Sequence, residues 1–418
     1  MHEPGQSDHK TLSPRRNSRS TGRACPLCLG ENKDLMHTQA FVLPEGHPLG
    51  DGYDVVACRV CGFIFADITA DQKAYDEFYA KLSKYEDNTT VTGAGVTPWD
   101  LKRLQATAME IAGFLPDKSS RIVDIGCANG GLLSILKALG YENLCGVDPS
   151  NACVAYVRDH LGIEAYAGVL DPLPAGVGVA DAVVLSHVLE HVREVRPALN
   201  AIGAVMKSGG LLYVETPDAT RYNDFLFSPF QDFNTEHINH FSEGLLSWLV
   251  SSQGFQPIAS GRRETESGPG MPYPITFVFG ILQGDSTPGT DSIVKDETLR
   301  PAIKNYIHKS SYLLSAIDEK IRTALEGVGP ILVYGTGQLA MKLLAETSLG
   351  KADIIAFVDG NPINYGKIIN GVPILSPEKI MSMPYPILIT STLHEIKIAQ
   401  RIADMGLPNR VLTLSISR

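Results

Sequence analysis

The chain has 418 residues, too many for one ordinary core, so two or three domains are expected. Its 36 basic and 46 acidic residues give a formal net charge of −10, which argues against nucleic acid or an anionic membrane as main partner, since both demand clustered Lys and Arg. With 44% hydrophobic and 20% charged residues, and no apolar run of about 20 residues, the chain reads as a globular protein with no spanning helix.

Residues 1–22 are polar, lack the apolar stretch of a secretory signal, and read as a disordered tail. Next, CPLC (Cys25, Cys28) and CRVC (Cys58, Cys61) frame residues 23–66 as a small metal-binding ribbon, two knuckles joined by a little sheet. Gly30 and Gly62, near the second cysteine of each knuckle, suit turns that need positive φ. Four thiolates in this pairing are the usual tetrahedral zinc set, and a closed set leaves no position for substrate, so the metal is expected to be structural. Three basic residues (Arg23, Lys33, Arg59) against five acidic ones make the ribbon a poor nucleic-acid surface. Cys127, Cys145 and Cys153 stand singly in apolar contexts, which fits a reducing cytoplasm better than a disulfide framework.

Residues 67–118 read as a helical connector, with Tyr75, Phe78, Tyr79 and Leu82 at helical spacing and a second helix over Trp99–Phe114. Such a segment is placed to cover a cofactor, which makes Tyr79 and Tyr85 candidates for contact. From 119 to 255 short apolar runs alternate with amphipathic helices, the pattern of a doubly wound parallel sheet. Residues 256–326 read as a connector holding one strand and a helix over Arg300–Leu325, and residues 327–418 as a second, smaller α/β unit.

The run DIGCANG (Asp124–Gly130) follows a strand and opens a helix. Gly126, Ala128 and Gly130 admit a ligand close to the backbone, Cys127 sits among them, and the helix N-terminus offers unpaired N–H groups. A dinucleotide fold would put its pyrophosphate there, but the Asp124 carboxylate would repel one. It suits the ammonium of a methionine moiety instead. Asp148, followed by Pro149 at the end of the second strand, is placed to accept from ribose hydroxyls. Gly168 and Val169 fall where an adenine packs, and His187 of SHVLEHV lies at the tip of the fourth strand, facing sulfonium and acceptor.

These runs, with GVDP (Gly146–Pro149) and VLEHV (Val188–Val192), resemble class I S-adenosylmethionine-dependent methyltransferases. With the four cysteines before them and the α/β unit after, the layout from about 23 to 418 resembles the zinc-containing three-domain nucleotide-sugar C-methyltransferases of deoxysugar biosynthesis. The fold so implied is α/β: an N-terminal zinc ribbon, a central Rossmann-like methyltransferase domain and a smaller C-terminal Rossmann-like domain. The resemblance further implies a 4-keto nucleotide-sugar acceptor, a base that removes the proton α to the ketone, and attack of the enolate on the methyl group. A cytoplasmic monomer or weak homodimer acting on a small molecule is expected.

The candidate for acceptor activation is FNTEHINHFS (residues 233–242), where Glu236, His237 and His240 crowd beyond the fifth strand. In the resembled family the stretch reads Tyr-His-Glu-His-x-x-Tyr-Phe-Ser; here Asn234 replaces the first tyrosine and His240 the second. His237 oriented by Glu236 is the expected base, with His240 in place of the missing phenol. ESGPGMPYPITFV (residues 266–278) also departs from the family's glycine–serine stretch, so the acceptor pocket is expected to differ, and O-methylation of a sugar or other metabolite uses similar parts. GTGQLA (Gly335–Ala340) and Asp359 suggest a nucleotide site when taken alone; within the resembled layout this unit shapes the acceptor pocket.

Overall fold

In the computed structural model, residues 23–82, 94–284 and 293–414 are described; the expected tail and Tyr85 lie outside them. The ribbon's sheet is antiparallel, with β1 (Lys33–Ala40), β2 (Gly52–Cys58) and β3 (Ile64–Asp67). β2 is buried along its whole length, as a central strand must be, and Gly52 sits where a Cβ would fall 2.3 Å from the Gln39 carbonyl oxygen across the pair. Gly62 takes φ +79° as expected. In the first knuckle the left-handed residue is Leu29 (φ 62°) rather than Gly30.

Two helices follow, α1 (Gln72–Leu82) and α2 (Pro98–Phe114), the latter begun by a proline whose missing N–H costs nothing there. The large sheet is then laid down as β4 (Ile122–Ile125), α3 (Gly131–Ala138), β5 (Leu144–Asp148), α4 (Asn151–Leu161), β6 (Glu164–Ala167), β7 (Ala180–Ser186), α5 (Val195–Ala204) and β8 (Met206–Pro217). β4 and β5 are buried throughout, the signature of parallel strands covered on both faces. The chain runs β4–β5–β6 to one side and returns to place β7 on the other, so the crevice at the carboxyl end of β4 is the topological switch point.

Beyond β8 come β9 (Asn239–His240), α6 (Glu243–Ser252), β10 (Phe255–Gly268) and β11 (Met271–Leu282). The expected boundary at 255 is corrected here. β11 pairs antiparallel with β8 and β10 with β11, so the seven-stranded order is β10-β11-β8-β7-β4-β5-β6 and the sheet runs on to residue 282. The alternating run PITFVFGIL carries no sign of which sheet it joins, and tertiary pairing decided it.

α7 (Leu299–Leu325) buries Leu299, Ile303, Tyr306, Ser310, Leu314, Ile317 and Ile321, steps of three and four that make one continuous stripe. The last sheet comprises β12 (Ile331–Tyr334), β13 (Ile354–Val358), β14 (Ile368–Ile369), β15 (Val372–Leu375), β16 (Ile387–Ile389) and β17 (Val411–Leu412), with α8 (Gln338–Glu346) and α9 (Glu395–Asp404) among them. Its order is β14-β15-β13-β12-β16-β17, parallel apart from the β14–β15 hairpin. Among the described residues no helix is long and apolar enough to cross a membrane.

One short strand joins the first sheet to the middle of the chain. β9 pairs with β3, Ile64 opposite His240 and Phe65 opposite Asn239. The segment 233–242 is thereby held at the edge of the ribbon's sheet.

Candidate active site

A cavity of about 330 Å³ opens at the switch point. Asp124, Gly126, Cys127, Ala128, Asp148, Pro149, Gly168, Val169, His187 and His237 all line it. Gly130 does not; it is the left-handed N-cap of α3 (φ 74°), and a Cβ there would come 2.7 Å from Leu161. Gly126 (φ 77°) and Ala128 (φ 47°) bend the turn so that its backbone approaches the cavity.

The turn is tied to the second strand by Asp148, whose carboxylate accepts the N–H of Ala128 (2.9 Å) and of Ser150 (2.9 Å). Asp124 is 3% exposed, and burial, then the charges of Asp148 and Glu215, push its carboxyl up to about 8. Arg103 of α2 also lines the cavity and pulls in the opposite direction on Asp124. Beneath them lies Glu215 at the end of β8, reached by Arg263 at 2.5 Å and Arg103 at 4.0 Å. Burial alone would raise Glu215, but the charges of His187, Arg263 and Arg103 outweigh it and hold the group below its ordinary value. One end of the cavity thus offers the Asp124 carboxyl and the Arg103 guanidinium, itself paired with Asp100 at 2.9 Å, a fit for a zwitterionic amino-acid moiety. Asp148, Gly168 and Val169 could hold its nucleoside.

The other end is built from α1, the turn after β7 and the segment 233–242. His187 adopts φ 56° and meets Glu190 through Nδ1 at 3.0 Å. Nδ1 of His191 lies 3.1 Å from the Glu236 carbonyl oxygen and 2.8 Å from the Tyr79 hydroxyl. A carbonyl only accepts, so a proton on this nitrogen satisfies it, and Nε2 lies 3.9 Å from Glu190. His237 packs edge-on against His191 with ring centroids 4.9 Å apart. Glu190, His191 and His237 bring their ligand-type atoms within 4.8 Å of one another, two imidazoles and a carboxylate suited to moving a proton. The segment is fixed by backbone: Ile238 N–H donates to the Glu190 carbonyl, and the Asn239 amide donates to the carbonyls of Leu189 (2.9 Å) and Val192 (2.6 Å).

Two expectations about this segment change. His240 does not reach the cavity: its strand turns it inward against Phe233 and Tyr222, and burial pushes it down to about 3. The Glu236 carboxylate, also absent from the cavity wall, accepts from the Tyr79 hydroxyl at 3.5 Å, and it is the backbone carbonyl of Glu236 that orients a histidine, His191. Sequence reading passed over Glu190, His191, Arg103 and Tyr273, all lining the cavity. The second histidine of SHVLEHV was a visible signal for His191; the others depend on tertiary placement.

The sulfurs of Cys25, Cys28, Cys58 and Cys61 lie within 4.8 Å of one another, with Cys25–Cys61 at 3.6 Å and Cys28–Cys58 at 3.5 Å. Contact among the sulfurs pushes the thiols of Cys25 and Cys61 up and those of Cys28 and Cys58 down, so the four share their protons as one set, and a bound cation would stabilise all four as thiolates. The donor set and its closure fit a tetrahedral zinc ion.

In the last sheet Asp359 accepts from the backbone N–H of Thr336 at 3.1 Å and from its hydroxyl, so the carboxylate closes the GTGQ turn. From the same turn Gln338 reaches across to donate to the Thr235 hydroxyl at 2.8 Å.

Residues 100–260 match a family described as methyltransferase domain, and residues 329–412 match one described as C2185-like, N-terminal. The chain is 22% identical over 341 residues to C-methyltransferase NovU of Streptomyces niveus, covering 78% of this chain and 76% of that protein. It is 27% identical over 235 residues to a ubiquinone biosynthesis O-methyltransferase of Bordetella avium (strain 197N), covering 51% of this chain and 90% of the relative. Among solved structures, N-methyltransferase NodS from Bradyrhizobium japonicum WM9 in complex with S-adenosyl-L-homocysteine aligns with TM-score 0.38 and 13% identity, over 48% of this chain and 96% of that one.

Proposed function

Because this chain is a class I S-adenosylmethionine-dependent methyltransferase, we propose that its acceptor is a nucleotide-activated 4-keto deoxysugar and that the methyl group goes to carbon. The observation that carries this reading is the extent of the match to a C-methyltransferase. It spans 78% of the chain, whereas the Bordetella avium O-methyltransferase match spans 51%. On the same ground the three sheets are taken as three domains: a zinc ribbon, a catalytic domain and a C-terminal unit that, contrary to expectation, gives the cavity wall no residue among those described and instead braces the segment 233–242 through Gln338 and Thr235. The protein works in the cytoplasm on a small molecule, as a monomer or weak homodimer.

When bound, S-adenosylmethionine supplies an electrophilic sulfonium methyl. Asp124 and Arg103 would hold its amino-acid end, while Asp148, Pro149, Gly168 and Val169 would hold its nucleoside. His187, at the end of β7, borders both halves of the cavity. His237 takes the proton from the carbon α to the ketone, with His191 beside it. The C–H electron pair becomes the enolate double bond and the carbonyl pair moves to oxygen. With the methyl group supplied by the bound cofactor, the new C–C bond would form at the enolate carbon as the ketone re-forms. Zinc in the four-cysteine cluster would supply no reactivity; it would fix the sheet that holds the segment bearing His237.

O-methylation is the second reading, favoured by Asn234 standing where the resembled family has a tyrosine. The test is incubation with S-adenosylmethionine and a panel of nucleotide sugars, keto and non-keto, in deuterated water. Methyl gain by keto sugars alone, with deuterium entering at the α carbon, is expected. Methyl gain by non-keto sugars without exchange establishes the oxygen acceptor instead.

A further inference from the structure

Asn234 leaves the enolate oxygen without the phenol that the resembled family supplies at that position, and its amide is committed elsewhere. Its Oδ1 accepts the N–H groups of Glu236 (2.8 Å) and His237 (2.9 Å), and its Nδ2 donates to the Gln231 carbonyl. A different phenol lies in the wall. Tyr273, at the tip of the β10–β11 hairpin, lines the cavity with His237, and its hydroxyl lies 2.6 Å from Oδ1 of Asp232. Asp232 is 1% exposed and forms no ion pair among the described residues. Its neighbours are phenols and the Gln231 amide: its N–H donates to the Tyr306 hydroxyl at 2.9 Å, the Tyr222 ring packs on Tyr306, and hydrogen bonds from Tyr273, Tyr306 and Gln231 to its carboxyl partly offset the effect of burial. Beyond them the charged groups felt by these tyrosines are Glu190 and Asp218, both acidic, with the neutral His240 against Tyr222.

We propose that Tyr273 is the hydroxyl that donates to the acceptor's carbonyl oxygen as the enolate forms, with buried Asp232 as its positioning residue. The inference rests on the keto-sugar reading. The chemistry turns on where two protons point. When Asp232 is ionised, the phenol donates to the carboxylate and offers the cavity only lone pairs. When Asp232 is protonated, the carboxyl donates to the phenolic oxygen and the phenol's own proton is released toward the acceptor. Negative charge then arrives on an oxygen that already has a donor facing it. No proton is consumed: the α proton leaves on His237, and Tyr273 keeps its own when the ketone re-forms. Burial pushes Asp232 up to about 7, so the donating arrangement is populated at neutral pH and below and lost above it.

The test is turnover at saturating S-adenosylmethionine across pH, with the keto sugar that the wild type methylates best. Tyr273→Phe is expected to lower both methyl transfer and α-deuterium exchange by about 10²–10³-fold with cofactor affinity unchanged. Asp232→Asn, which cannot titrate, is expected to lose the fall in kcat above pH 7. A Tyr273→Phe protein within twofold of wild type, or an Asp232→Asn protein that keeps the alkaline fall, overturns the proposal. If the wild type methylates no keto sugar, the substrate reading has failed, and the pair is decided without substrate by infrared difference spectra of protein carrying 13C-labelled aspartate. A carboxylic-acid band that titrates near neutrality in wild type and vanishes in Asp232→Asn supports the switch; its absence refutes it.

Discussion

Asp124 links the charge of the site to its occupancy. Burial leaves its carboxyl protonated at neutral pH, about 8 being its midpoint, yet an ammonium partner requires the ionised form. Cofactor binding must therefore expel a proton below pH 8, and affinity should climb with pH by up to about tenfold per unit until that midpoint. Calorimetry in buffers of different ionisation enthalpy reads the proton directly, and Asp124→Asn should bind more weakly with no such dependence; equal heats for the wild type in all buffers would defeat the assignment. His240 has the opposite character. Its folded value of about 3 lies below the 6.5 of an unfolded chain, so its contribution to stability is complete above pH 6.5 and is lost as pH falls toward 3. His240→Leu should flatten the acid limb of Tm against pH and leave turnover near wild type. The two residues also mark what the sequence could disclose. Asp124 belongs to a local turn whose geometry is written in adjacent glycines, so its place was legible. His240 stood three residues from His237 in the same run, and only pairing with Ile64 decided that it would face the core. Glu190, Arg103 and Tyr273 come from separate elements and meet only in the folded cavity.

Among the elements, α7 shows how far periodicity carries. Its apolar stripe recurs every three or four residues over Leu299–Leu325, so both its existence and its buried face were readable. Ile317 is 2% exposed on that stripe, and Ile317→Ala should cost about 2–5 kcal/mol, measured by denaturant unfolding, through lost burial and the void left behind. A cost below about 1 kcal/mol would mean the stripe packs loosely. β10 and β11 were the opposite case. An alternating strand announces that one face is buried but not which neighbour it pairs with, and the sheet extended across what composition suggested was a connector. β9, two residues long, has no periodicity to read at all.

At the scale of the molecule, residues 233–242 are fastened from several sides. β3 pairs with Asn239 and His240, the carbonyls of Leu189 and Val192 hold Asn239, and Gln338 at the start of α8 grips Thr235. The cysteine cluster is upstream of all this, since Cys58 ends β2 and β2 carries β3. Cys58→Ser should lose bound zinc and, by letting His237 shift by an ångström or so, lower turnover about a hundredfold while cofactor affinity holds. Elemental analysis beside kinetics checks it, and full activity in a zinc-free protein would uncouple the ribbon from catalysis. The β10–β11 hairpin is fastened by side chains instead: Arg262 meets Asp218 and Glu243, Arg263 meets Glu215, and Tyr273 donates to Asp232. β10 pairs with β11 alone, yet the hairpin's tip gives the cavity Thr265, Glu266, Ser267 and Tyr273. Such a division puts part of the cavity wall on a sheet edge, where tip residues such as Thr265, Glu266 and Ser267 can be exchanged without breaking the parallel centre of the sheet.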